Sequence, residues 1–196
     1  PGPGNRSRGE APGPSPAPTL SVSIMGGDIV ANLDNGHGPT YGSGVMKRKR
    51  LLSPEQVVLP LQSTTKNEVI EELLDVLMKS GKVKDRDVAL ESLLEREQKM
   101  STGMEKGVAI PHGKCDCVEE LVTAAGIAPE GIEFDALDKK PSYIFIMTLS
   151  PKDRSGPHIQ FLAEISQLLK HQETRDALLG ASSPEEVAEI FAGKNK

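Results

Sequence analysis

Residues 95–114, EREQKMSTGMEKGVAIPHGK, decide how this chain is read. The stretch leaves an amphipathic helix, crosses a Ser/Thr/Gly loop and enters a short β-branched run that stops at Pro111 and His112. Val108, Ala109 and Ile110 are apolar and bounded by Gly107 and Pro111, which predicts a buried strand that Pro111 forces out of the sheet. His112 then falls at the carboxyl end of a strand, where ligand crevices form in open α/β sheets. A lone histidine there has a structural reading as well, in the core or on the surface.

Working outward, residues 57–61 read as a strand, and Pro60 places it at a sheet edge. Thr65 precedes Glu68 by three residues, a capping box ahead of Ile70, Leu73, Leu74 and Leu77 on one helix face, with Gly81 placed to end the helix. A second helix is expected from Asp85 through Val88, Leu93 and Leu94 to Arg96. Arg96 near its carboxyl end is favoured by the helix dipole whatever else it does, and Arg86 offers a similar charge at its start. Residues 121–128 and 143–149 read as strands, the second central because its run 143–147 has no polar interruption. After a polar loop at 150–156, Pro157 suits the first turn of a helix turning Ile159, Leu162, Ile165 and Leu169 inward. Ser183, Pro184 and Glu186 announce a last short helix ending near Phe191. Helices alternating with strands predict a layered α/β domain.

Residues 1–45 are rich in Pro, Gly, Ser and Asn, a composition that predicts a flexible extension ahead of a domain at 46–196. The basic run 47–50 reads as a solvated domain edge. A net charge of −5 and 3% aromatic content argue against nucleic-acid binding, by charge and by lack of stacking surface. No apolar stretch approaches a membrane span, and no secretory leader is visible, so a cytoplasmic protein without membrane insertion is expected.

Cys115 and Cys117 are separated by one residue. A bridge that short reads as strained, so two thiols in a reducing compartment are expected. With His112 they also spell His-x-x-Cys-x-Cys, which leaves open a metal-binding module, although zinc usually takes four ligands.

Several blocks together carry a more specific reading: LLSPEQVVLPLQSTTKNEVIEELLDVL from Leu51, ESLLEREQKMSTGMEKGVAIPHGK from Glu91, GIEFDALDKKP from Gly131 and GPHIQFLAEISQLL from Gly156. In this order they resemble the EIIA domains of the mannitol/fructose type from the bacterial phosphoenolpyruvate-dependent sugar phosphotransferase system, which include the stand-alone nitrogen-regulatory type. The resemblance implies a single α/β domain with a central mixed β-sheet flanked by helices on both faces. It implies that His112 accepts a phosphoryl group from the carrier HPr on Nε2 while Nδ1 is tied to a neighbour, and that the group passes to an EIIB partner or signals to a regulatory target. Arg96 and His158 match the family's other site positions, and no cofactor or metal is implied.

The chemistry suits those residues. A neutral imidazole has a free lone pair at near-neutral pH, and phosphoryl transfer asks mainly for in-line positioning and charge neutralisation. Arg96 supplies forked donors to phosphoryl oxygens. His158, in the first turn of a helix, is expected to stay neutral and donate a hydrogen bond. Thr102 and Gly103 are expected to shape the pocket or donate to the substrate. His37 and His171 are expected to face solvent. A regulator acting only by partner binding through the same domain is a further reading.

Overall fold

A computed structural model describes residues 19–25, 28–34 and 52–193, and the chain divides into two units, Pro1–Lys47 and Arg48–Lys196. In the first unit β1 (Thr19–Met25) and β2 (Asp28–Asp34) pair antiparallel, with Thr19 opposite Asp34 and Met25 opposite Asp28. This hairpin lies inside the stretch whose average composition predicts an extension; its TLSVSIM alternation is lost in that average. His37, Met46 and the basic run 47–50 lie outside the described residues.

The second unit runs β3 (Val57–Val58), α1 (Lys66–Lys79), α2 (Arg86–Lys99), β4 (Val108–Ala109), β5 (His112–Lys114), β6 (Val122–Ile132), β7 (Ser142–Ser150), α3 (Ser155–Lys170), α4 (Gln172–Leu179) and α5 (Pro184–Phe191). The helix starts follow their caps. Thr65 and Glu68 form the expected capping box, Asp85 accepts from the backbone of Asp87 and Val88, and Ser183 accepts from Glu186. No side-chain cap opens α3 or α4; Pro157 marks the first turn of α3 in the sequence, and nothing comparable marks α4. No helix among the described residues is long and apolar enough to cross a membrane.

The sheet is mixed, ordered β3-β6-β7-β4, with β5 also on β7. β6 and β7 are antiparallel, whereas β3 on β6 and β4 and β5 on β7 are parallel. β7 is central, and its side chains alternate between two cores. Phe145, Met147 and Leu149 pack with Ile70, Leu73, Leu77 and Leu93 of α1 and α2. Ile144 and Ile146 pack with Phe161, Ile165, Leu178 and Val187 of α3, α4 and α5. Helices therefore cover both faces, as the resemblance implies.

Three expectations are corrected. Pro111 does not send the chain out of the sheet: Ala109 pairs with Phe145 and His112 with Thr148, so both strands advance by three residues and the register is kept. Pro111 lacks an N–H, but its carbonyl accepts from Thr148, and His112 opens β5. The inward stripe of α3 is His158, Phe161, Ile165 and Leu169, while Ile159 is exposed. The helix begins at Ser155, and that phase turns Ile159 about 100° away from the buried line. Finally, Cys115 and Cys117 are joined by a disulfide and buried. The chain turns at Asp116, which brings their Cα atoms to 5.1 Å.

Candidate active site

Two glycine-dependent approaches bring the site together. β5 runs so close to α2 that a Cβ on Gly113 would lie 2.7 Å from Ser92 Oγ and 3.3 Å from Leu93 N. Only glycine permits that spacing, and Ser92 Oγ uses it to donate to the Lys114 carbonyl at 2.9 Å. One turn further along α2, Arg96 reaches the ring of His112. On the other side, a Cβ on Gly103 would meet Ala136 Cα at 2.8 Å, so the loop after α2 is pressed against the segment following β6.

His112 is held through both ring nitrogens. Nδ1 lies 2.8 Å from the Ile110 carbonyl, and Nε2 lies 3.0 Å from Arg96 Nε. A carbonyl only accepts and a guanidinium only donates, so Nδ1 carries the proton and Nε2 presents its lone pair. Burial pushes the His112 pKa below its ordinary value; the Ile110 carbonyl opposes this and the nearby Arg96 charge adds to it. Arg96 also donates from Nη1 to the carbonyl of Met100, at 2.8 Å, capping the open end of α2.

His158 stands beside His112, with ring centroids 5.5 Å apart. Its Nδ1 lies 2.8 Å from Ser150 Oγ, at the end of β7. Burial first, then the electrostatic effects of His112, Lys114 and Arg96, lowers its pKa to about 4, so the ring is neutral at pH 7. These residues line a cavity of about 300 Å³ with Ser92, Glu95, Lys99, Gly113 and Lys114. Lys114 Nζ reaches Ser155 Oγ at 2.6 Å and so stands between β5 and the start of α3. The arrangement offers a nucleophilic nitrogen, several cationic or neutral donors around it, and space for a tetrahedral anion.

His112, Arg96 and His158 thus come together from three elements. Thr102 and Gly103 do not line the cavity. Thr102 is buried and donates through its N–H and hydroxyl to the carboxylate of Glu97, and Gly103 serves the close loop packing. Lys114 and Ser92 were missed because their roles follow from the approach of α2 to β5, although Lys114 lies in the decisive stretch. Arg86, the other candidate cation, pairs with Asp75 and Glu71 on α1, and His171 is exposed. The metal reading loses its sulfur ligands, since Cys115 and Cys117 are bonded to each other and belong to the core. Among the described residues no group of three His, Cys, Asp or Glu side chains is arranged to hold a metal ion.

Residues 50–194 match the family model described as phosphoenolpyruvate-dependent sugar phosphotransferase system, EIIA 2. The chain is 41% identical over 138 residues to the fructose-specific EIIA component of Haloferax volcanii, covering 70% of this chain and 90% of that protein. It is 25% identical over 146 residues to the nitrogen regulatory protein of Pseudomonas aeruginosa, covering 74% and 95%. Among solved structures, the nitrogen regulatory protein IIA-Ntr from Neisseria meningitidis superposes with a TM-score of 0.68 at 30% identity, over 72% of this chain and 96% of that one. The complex of mannitol enzyme IIA with phosphorylated mannitol enzyme IIB from Escherichia coli gives 0.64 at 25% identity, over 72% and 97%.

Proposed function

Because the chain belongs to the EIIA 2 family of the phosphoenolpyruvate-dependent sugar phosphotransferase system, we propose that residues 46–196 form a phosphohistidine carrier in which His112 is the acceptor. The observation that carries the reading is the pair of contacts on its ring, Nδ1 to the Ile110 carbonyl and Nε2 to Arg96. They put the ring proton on Nδ1 and leave the Nε2 lone pair at the cavity wall, where it accepts from Arg96 Nε until a phosphoryl donor arrives. The new N–P bond forms at Nε2 as the bond to the donor's leaving group breaks, and His112 needs no deprotonation beforehand.

For that bond to form Arg96 turns from the ring nitrogen to the phosphoryl oxygens as the donor docks, freeing the lone pair for in-line attack, with Met100 holding the other arm of its fork. His158 Nδ1 pairs with the Ser150 hydroxyl, a group that can donate, and in that tautomer the ring proton is on Nε2 as a donor to the same oxygens. Its low pKa keeps it neutral in the free protein, so it meets the incoming group as a neutral donor. The donor is phosphorylated HPr in the cytoplasm. The identity to a fructose-specific component supports an EIIB of a sugar-uptake system as the recipient.

Intact-mass measurement after incubation with phosphoenolpyruvate, enzyme I and HPr tests this. One acid-labile phosphoryl group is expected on the full chain and none on His112→Ala. A folded chain that stays unmodified with active HPr overturns the proposal.

A further inference from the structure

A carboxylate in a protein core demands an explanation, because removing it from water is costly unless it is well paired. Glu97, on α2 next to Arg96, is buried. It faces away from the cavity and is fully engaged. Lys66 Nζ of α1 lies 2.7 Å from its Oε1. The Thr102 N–H donates to Oε1 and Oε2 at 3.0 and 3.1 Å, and the Thr102 hydroxyl donates to Oε2 at 2.5 Å.

What Glu97 fixes is Thr102, and the contacts continue from there. The Thr102 carbonyl accepts from the Ile110 N–H at 3.1 Å. The opposite end of the same residue, the Ile110 carbonyl, accepts from His112 Nδ1–H at 2.8 Å. The loop is tied alongside by Met104 N–H to the Val108 carbonyl at 2.7 Å and by the bridge between Gly103 and Ala109. Four successive contacts therefore run from the Lys66–Glu97 pair to the nitrogen opposite Nε2.

We propose that Glu97 and Thr102 are positioning residues for His112, setting through Ile110 both the tautomer and the direction of the ring. The role rests on the acceptor reading of His112 but is separable from it, because the ring's state is measurable without any donor. From behind the ring Glu97 also favours the charged form of His112, against Arg96 on α2 and Lys114 on β5, while Glu95 and Lys99 of α2 and His158 of α3 line the cavity in front of it.

The test is a nitrogen-15 NMR titration of the His112 ring in the full chain, with circular dichroism as the check on folding. For Glu97→Gln, the His112 midpoint is expected to move further below its ordinary value, because a charge favouring imidazolium is gone. A variant that merely loosens the core moves it the other way, toward the exposed value. Phosphoryl acceptance slows about tenfold, the scale of a small misplacement of a reacting group. Thr102→Val keeps every charge and removes the hydroxyl donor; it is expected to mix the two tautomers of His112, and Thr102→Ser restores the Nδ1–H form.

A His112 midpoint that is unchanged or raised in Glu97→Gln overturns the proposal. If that variant does not fold, the Thr102 pair decides, and a single Nδ1–H tautomer in Thr102→Val overturns it. Absence of phosphoryl acceptance by the unaltered chain removes the carrier reading and leaves this result standing.

Discussion

Two cavities of nearly equal size open on this domain, one of about 300 Å³ at His112 and one of about 310 Å³ lined by Ser53, Glu55, Gln56, Val76, Lys79, Ser80 and Lys82. Both carry lysines and hydroxyls, so neither volume nor composition separates them. Connection to the core does. At the first, β5, α2 and α3 each fix a ring or guanidinium through a defined atom, and the ring pKa values are displaced. At the second, Lys82 forms an exposed ion pair with Glu120, of the kind that contributes little. Volume marks a place where something fits; constraint marks a place where something is done.

The two cavities differ most at His112. His112→Gln keeps the size and polarity of the ring site but has no nucleophilic nitrogen. Complete loss of acid-labile phosphate on the purified, folded variant is expected by intact mass. Residual phosphate on the variant assigns the acceptor to another residue.

Arg96 gives the next largest effect. Arg96→Ala removes the charge at the acceptor and the cap on Met100 together, and a loss on the order of 10² to 10³ in the rate of phosphoryl acceptance is expected, the scale for one preorganised donor at a transition state. Rapid-quench kinetics with phosphorylated HPr measure it. Arg96→Lys is expected to recover only part, because an ammonium cannot hold both the Met100 carbonyl and a phosphoryl oxygen in the fork's geometry.

His158 sharpens the comparison through stability. Its ring is held neutral in the fold, with a pKa of about 4, whereas the unfolded chain binds that proton near 6.5. Between those values the unfolded state holds more protons, so stability is fully present above about pH 6.5 and falls as pH drops toward 4. The loss is on the order of 3 kcal/mol for this group. Denaturant unfolding at pH 7 and pH 4 is expected to show a smaller drop for His158→Gln than for the unaltered chain, and an equal drop contradicts the assignment.

How much of this was legible follows from the range of each signal. Local signals survived: the caps at Thr65, Asp85 and Ser183 and the apolar run of β7; His112, Arg96 and His158, singled out by motif order, stand together in one cavity. What failed depends on partners distant in sequence. The continuation of pairing past Pro111 depends on Thr148, thirty-seven residues on. The place of Thr102 behind the site depends on Glu97 and Lys66, and the inward turn of His158 in place of Ile159 depends on Ser150. A two-residue window likewise does not reveal that the chain at Asp116 folds Cys115 and Cys117 toward each other.

The smallest expected effect closes the comparison from the second cavity. Lys79 sits in the last turn of α1 and lines that cavity, yet it touches none of the contacts leading to His112. Lys79→Ala removes a cation favourable to the α1 dipole, a contribution of about 0.3 to 1 kcal/mol at low ionic strength that shrinks as salt is added. Chemical denaturation in low and high salt is therefore expected to show a small deficit that narrows. Phosphoryl acceptance at His112 is expected within about twofold of the unaltered rate, as for a surface change away from the site. A tenfold loss of acceptance in this variant, with stability intact, means that the second cavity takes part in the transfer. Constraint by the core then no longer separates a working cavity from an idle one in this fold.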